Sequence, residues 1–258
     1  MAGELPVSVL LLARDETAGV AALLAALADA REAVVVWDPA GDPAVREAAA
    51  AAGARVFERP LDGFGAQRAF ALERCTQPWV LWVDADEMPD AMLRAALPRA
   101  LAEAGETTAF TVLRRGWFLG RPIRHCGWRG ERIVRLFRRA HARFDDAPVH
   151  ERVIVAGPPP APLPGVLEHR SYETWEACVD KMVRYARAGA EAARRAGRRS
   201  GPLDVLARPP LRFLRMYVAQ LGVLDGAHGL VLCALAAAQV FLKYAELWAR
   251  PRGGAGRA

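Results

Sequence analysis

The chain has 258 residues, 53% of them hydrophobic, and a formal charge of +6 with a sequence pI near 9.6. This suits one large domain, or a domain plus an appendage, with a substantial buried core; the positive balance favours an acidic partner (nucleotide phosphates, nucleic acid or an anionic membrane face) without choosing among them. Four cysteines, at 75, 126, 178 and 233, are scattered with no CxxC pair, which excludes a disulfide framework or a zinc site and fits a reduced, cytosolic chain.

The first hundred residues alternate. PVSVLLLA is strand-like; with Glu4 early, no basic leader and no small-residue cleavage site, residues 7–13 read as a buried strand and not a signal peptide. TAGVAALLAALADA has helical spacing, EAVVVW is a β-branched run, and DPAVREAAAAAG is a helix stopped at Gly53. ARVFE, GAQRAFALERC and WVLWV follow as strand, helix and strand. The βαβαβαβ rhythm predicts a parallel sheet with helices on both faces, which binds ligands beyond the carboxyl ends of its strands. From 108 to 169, AFTVLRR, WFLG, RIVRLFRR, VHERVIV and GVLEH are short strand candidates that extend the sheet in mixed or antiparallel fashion, and GPPPAPLPG (157–165) reads as a loop or hairpin tip. After Tyr172 come a basic amphipathic helix, a break at RRSGPLDVLARPP, and two more helical segments, LRFLRMYVAQLGVL and AHGLVLCALAAAQVFLKYAELW. The apolar stretch 229–242 is short for a membrane span and is preceded by Asp225 and His228. It reads either as a core helix or as a hairpin lying in a membrane interface beside the Arg-rich segment 184–215.

Several clusters carry chemistry. In WVLWVDADEMPD (79–90) an apolar strand runs straight into Asp84, Asp86 and Glu87. In extended geometry residues i and i+2 share a side, so Asp84 and Asp86 are a candidate pair of hard ligands for Mg²⁺ or Mn²⁺; the competing reading is a helix start capped by Asp86 or Glu87. Arg14, Asp15 and Glu16, at the end of the first strand, either touch a nucleotide base or ribose or merely start a helix. DGFGAQRAFAL (62–72) places glycines before a helix and Arg68 one turn in, an arrangement that favours an anion, although the GK[ST] ending of a P-loop is absent. RHCGWRGERIVRLFRR (124–139) mixes arginines suited to phosphate with Trp128 and Phe137; the alternative is a solvated sheet edge. In DDAPVHERV (145–153), Glu151 is either a general base for an acceptor hydroxyl or one half of a surface ion pair.

Together these stretches resemble family 2 glycosyltransferases of the GT-A fold, especially the bacterial lipopolysaccharide-core β-1,4-glucosyltransferase branch. The resemblance runs through Ala13-Arg14-Asp15-Glu16, Asp62-Gly63-Phe64-Gly65-Ala66-Gln67-Arg68, Val83-Asp84-Ala85-Asp86-Glu87, FLGRPIRHCGW (118–128), RLFR (135–138), Val149-His150-Glu151 and His169-Arg170-Ser171-Tyr172, and spans roughly 6 to 248. It implies an α/β GT-A (Rossmann-like) mixed sheet flanked by helices, with a catalytic domain over 1–170 and a helical, membrane-associating region over 171–258. The implied activity is inverting, metal-dependent hexosyl transfer from a nucleoside diphosphate sugar, a UDP-sugar above all, to a saccharide or lipid-linked saccharide in lipopolysaccharide core or other envelope glycan synthesis. The enzyme would be cytoplasmic, peripheral on the inner membrane, with no role for nucleic acid. The resemblance assigns Asp86 to the metal, Asp84 to ribose and metal, Glu16 and Asp38 to the nucleoside, with Arg14 and Asp15 beside them as candidate donor contacts, Arg68 and Arg135 to the diphosphate, and Glu151 to the base, with Glu87 and Asp146 as alternatives; Trp128 would stack on a sugar ring. Two departures stand out: Trp37 replaces the family's usual Asp, with Asp38 beside it, and Arg68-Ala69 replaces Lys-Asn. They leave room for a non-catalytic nucleotide-sugar-binding paralogue. A metal-dependent phosphate-ester hydrolase is a further alternative, although DADEMPD lacks the Gly-Thr-like loop which that chemistry usually wants.

Overall fold

The computed structural model describes residues 4–145 and 152–249. In chain order the elements are β1 (Leu5–Ala13), α1 (Thr17–Ala26), β2 (Ala30–Trp37), α2 (Pro43–Ala51), β3 (Arg55–Glu58), α3 (Phe64–Arg74), β4 (Trp79–Asp84), β5 (Glu87–Pro89), α4 (Ala91–Ala102), β6 (Ala109–Phe118), β7 (Arg121–Pro122), β8 (Glu131–Arg138), β9 (Ala142–Phe144), β10 (Val153–Val155), β11 (Ala161–Tyr172), α5 (Trp175–Arg195), α6 (Pro202–Leu214) and α7 (Gly226–Ala249). The main sheet has the order β3-β2-β1-β4-β8-β6-β11-β5, and β9 and β10 form a separate pair. The β3-β2-β1-β4 half is parallel, whereas β8 runs antiparallel to β4 and β6 antiparallel to β8. The expected mixed GT-A-type sheet is therefore present.

Alternation explains the buried runs. Val7, Val9 and Leu11 of β1, with Trp79, Leu81 and Val83 of β4, enter one core cluster, while Leu10, Val80 and Trp82 enter the other on the opposite face. A sheet covered on both sides needs apolar residues at both parities, so its strands read as continuous hydrophobic runs. At the end where β1 begins, the buried Ser8 hydroxyl donates to Glu32, which also accepts from the Thr76 backbone N–H (2.7 Å) and pairs with Arg55. Burial alone would raise the Glu32 pKa, but these donors outweigh it and hold the carboxyl below its usual range. This brace leaves the opposite edge, where β1, β2 and β4 end, for function.

Contacts divide the chain into two units, Met1–Arg114 with Glu131–His169, and Arg115–Gly130 with Arg170–Ala258. The second contains the three long helices. Its core gathers Phe118, Ile123, Cys126, Cys178, Met216, Leu232 and Cys233, and all four cysteines of the chain are free and buried. The Asp225 carboxylate accepts from the backbone N–H of His125 (2.8 Å) and Arg124 (3.2 Å), which holds the turn where Cys126 adopts a positive φ of 60°. Asp225 therefore ties segment 115–130 to the helices.

Three expectations are corrected. The Pro-rich loop is shorter than 157–165, because β11 begins at Ala161; proline's fixed φ is compatible with extended backbone wherever its missing donor is not needed. The break before the last helices is also shorter, since α6 starts at Pro202 and carries Pro209 and Pro210 inside it. Finally, AFTVLRR and WFLG are not separate strands but one continuous β6.

Candidate functional site

Residues after Val83 form a tight acidic turn. β4 ends at Asp84, Ala85 and Asp86 turn the chain, and Glu87 opens β5. Neither Asp86 nor Glu87 caps the following helix. Asp90 does so, accepting from the Leu93 N–H at 2.7 Å, so capping does not account for the three upstream carboxylates.

The three carboxylates face different partners. Asp84 Oδ1 accepts from Arg68 and Oδ2 from Arg135, each at 2.9 Å. Glu87, whose side chain is fully buried, accepts from the same Arg135 nitrogen at 2.5 Å and lies 3.7 Å from Arg114. The Asp86 carboxylate is half-exposed and lies 3.3 Å from His169 Nε2. Register explains that last contact: β11 pairs antiparallel with β5, with Leu167 opposite Pro89 and His169 opposite Glu87. A residue roughly eighty positions downstream is thereby brought beside the acidic turn.

Electrostatics follow from this placement. Burial would raise the Asp84 pKa, but Arg135 and Arg68 outweigh it and hold the carboxyl below its usual range. For Glu87 burial wins: its pKa is raised even though Arg135 pulls it down. Burial would lower the Arg135 pKa, and Asp84 and Glu87 reverse that. In Arg68 burial prevails and the pKa is lowered.

Both arginines also lie against Trp82, with guanidinium carbons 4.4 Å (Arg68) and 4.1 Å (Arg135) from the ring centre. Arg68 reaches this position because α3 buries the stripe Arg68, Ala71, Leu72, which has helical i, i+3, i+4 spacing. Among the described residues, Arg135 Nε and Nη1 and Trp82 Nε1 are buried without a hydrogen-bond partner. Beside them opens a cleft of about 540 Å³ whose wall includes Arg68, Arg114, Arg135 and Arg152 against Asp84 and Glu131. Four cations against two anions, with orphaned donors behind them, make an anion-seeking wall.

The other predicted residues sit at the ends of β1 and β2. Glu16 turns back, its carboxylate accepting from the backbone N–H of Arg14 (2.9 Å) and Asp15 (3.0 Å). Asp15 accepts from the Asp42 N–H. Buried Asp38 accepts from the Ala40 N–H and faces Arg14 at 3.7 Å. Trp37 points its ring into the core, so Asp38 is the acid at this strand end. Trp128 belongs to the second unit, where it packs on Tyr172 with ring centres 5.3 Å apart. Glu151 and Asp146 lie outside the described residues.

His169, Arg114, Arg152 and Trp82 were not foreseen as site residues. His169 had a usable signal in the His-Arg-Ser-Tyr motif. The others had none, because their roles arise from cross-strand placement.

The profile of the family described as "Glycosyl transferase family 2" matches residues 8–150. Over 263 aligned residues, 97% of each chain, the protein is 30% identical to the lipopolysaccharide core biosynthesis glycosyltransferase LpsC of Rhizobium meliloti (strain 1021). The chain belongs to glycosyl transferase family 2. Among solved structures, the mannosyltransferase PcManGT from Pyrobaculum calidifontis, in complex with GDP-Man and Mn²⁺, is 16% identical, with 95% of this chain and 88% of that one covered at a TM-score of 0.48. S. aureus TarS in complex with UDP-GlcNAc is 15% identical, with 94% and 92% covered at a TM-score of 0.42.

For this glycosyl transferase, a divalent cation is judged by its donor set. Among the described residues no group of three His, Cys, Asp or Glu forms a closed cage. Asp86 in the turn and His169 on β11 do face each other, one carboxylate and one imidazole. Mg²⁺ characteristically takes one or two carboxylates and completes its shell with substrate phosphates and water, so an open two-residue site fits such an ion.

Proposed function

We propose that the protein transfers a hexose from a nucleoside diphosphate donor, a UDP-sugar by preference, to a saccharide acceptor, with inversion. The observation that carries this reading is the arginine-lined cleft beside the acidic turn, where Arg68, Arg135 and Trp82 face the space in front of Asp84. A glycosyl transferase of this family that resembles LpsC along its whole length has its natural place in lipopolysaccharide core synthesis, acting in the cytoplasm and peripherally at the inner membrane.

In this mechanism the donor diphosphate lies along the arginine wall. The guanidiniums of Arg68 and Arg135 are already fixed by Asp84 and Glu87, so they stabilise the departing diphosphate with little reorganisation. Asp86 and His169 would hold Mg²⁺ or Mn²⁺, which, when bound, supplies positive charge to the leaving diphosphate. Asp38 and Arg14, at the ends of β2 and β1, receive the nucleoside; the Glu16 and Asp15 side chains shape that turn by binding its backbone. Glu151 takes the proton from the acceptor hydroxyl, whose oxygen attacks the anomeric carbon in line. Because the leaving group is a diphosphate stabilised by cations, no acid has to protonate it, unlike a glycosidase reaction.

Calorimetric titration of nucleoside diphosphates and nucleotide sugars, with Mn²⁺ or Mg²⁺ and then with EDTA, tests this in wild type and Asp86→Ala. Cation-dependent binding that is lost in the variant is expected, and the preferred base identifies the donor. A folded wild type that binds no member of the panel would overturn the reading.

A further inference from the structure

Helix α6 is built the wrong way round for a helix facing water. None of its 13 residues is buried, yet Leu203, Leu206, Leu211 and Leu214 are 80%, 70%, 62% and 53% exposed. At 100° per residue these four lie within one stripe, together with Ala207 and Pro210. The stripe does not end with the helix: Val218 and Leu224, in the turns that follow, are also more than half exposed. A water-facing helix normally carries polar residues there, and monomeric proteins rarely leave so long an apolar patch open.

The border of the stripe is basic. Arg208, Arg212 and Arg215 follow at i, i+4 and i+7 along one side, and Arg198 and Arg199 precede the helix. Asp204 is the one acidic residue from 198 to 215 and is already paired with Arg208 at 2.6 Å. An apolar stripe edged by cations has the pattern of a helix lying in the plane of an anionic membrane interface, with leucines at the acyl boundary and arginines among the headgroups.

Residues 222–249 are also long and apolar enough to cross a membrane. Packing argues against that use. α7 lies along both α6 and α5, and Gly189 of α5 is so close that an added Cβ would stand 3.2 Å from the Lys243 side chain. α5 carries Asp180, Lys181, Arg184, Arg187 and Glu191. Threading α7 through a bilayer would take those charges into hydrocarbon, at prohibitive cost.

We propose that α6 and the turns to Leu224 form an in-plane docking surface for anionic phospholipid, with α7 serving as its support and not as a span. This deepens the peripheral location in the proposed function and rests on that reading only for its purpose, which is to present the enzyme to an acceptor at the membrane.

The full-length protein is floated with vesicles of phosphatidylglycerol and phosphatidylethanolamine, and with pure phosphatidylcholine, at low and high salt. Wild type should float with the anionic vesicles at low salt and at least about ten-fold less with phosphatidylcholine or at high salt. The double variant Leu206→Glu/Leu214→Glu should lose flotation by a similar factor while keeping its circular dichroism and its nucleotide-sugar binding, since both side chains face solvent. Arg215→Gln should weaken anionic binding without abolishing it. Flotation unchanged in the double variant, or wild type remaining unbound, would overturn the proposal. So would a wild-type dimer in light scattering that the double variant converts to monomer, since a second copy would then occupy the face. Nucleotide-sugar binding is read separately, so failure of docking and failure of the transferase reading are told apart.

Discussion

Replacing Arg135 with methionine tests the electrostatic centre of the site. Arg135 is 2% exposed, donates to Asp84 at 2.9 Å and Glu87 at 2.5 Å, and lies over Trp82. Methionine keeps the aliphatic contact with the ring and removes the charge. Asp84 retains Arg68, but Glu87 is left with Arg114 at 3.7 Å. Breaking a buried pair by removing one partner costs about 3–5 kcal/mol, a large share of the roughly 5–15 kcal/mol that holds a protein folded. At a slope of about 2–3 kcal/mol/M, the urea midpoint should fall by roughly 1–2.5 M. The deficit should depend on pH. The folded pKa of Glu87 is raised above 4.5 by burial, so its contribution is fully present below 4.5 and lost as pH rises through the folded value. Without Arg135 that value climbs further, so the variant should lose more stability at pH 8 than at pH 5.5. Adding Glu87→Gln should restore at least about 2 kcal/mol, because the stranded charge is gone. Urea unfolding followed by circular dichroism at both pH values measures all three proteins. A loss under about 1 kcal/mol, or a double variant no better than the single one, would refute the buried triad as described.

Further outcomes are expected. Asp90→Ala should cost about 1 kcal/mol of stability by removing the cap on α4 and leave transfer unchanged, whereas Asp86→Asn and His169→Ala should barely alter the melting temperature and should abolish cation-dependent nucleotide binding in calorimetry. Gly19→Ala should destabilise by about 1–3 kcal/mol and lower kcat/KM, since its Cβ would stand 2.4 Å from the Ala85 carbonyl oxygen and displace the acidic turn; thermal melts and steady-state rates check it. Gly53→Ala has open space around it but a φ of 79°, so its cost should be about 1 kcal/mol of backbone strain with activity intact. Asp84, whose folded pKa is lowered by Arg135 and Arg68, adds stability above its usual value of 3.8 that is lost as pH falls through the folded pKa; Asp84→Asn should flatten that acid limb in pH-dependent urea titrations.

The pattern of the sequence determined the parallel half of the sheet. Runs such as VSVLLLA and WVLWV are apolar at both parities because both faces of those strands are covered, and that requirement is visible one residue at a time. Local spacing also placed Asp84 and Asp86 at a strand end and Arg68 one turn into its helix. Spacing could not assign their partners. Only the folded chain sets these carboxylates against arginines and a histidine: β4 pairing with β8 brings up Arg135, and β5 pairing with β11 brings up His169, and such pairings join residues dozens of positions apart. The short break before α6 and the prolines inside α6 and β11 likewise depend on whether a missing N–H falls where a donor is needed, which tertiary neighbours decide. The same is true of the leucines of α6: their helical period is local, but that their stripe faces outward and stays uncovered follows from where α6 lies against its neighbours.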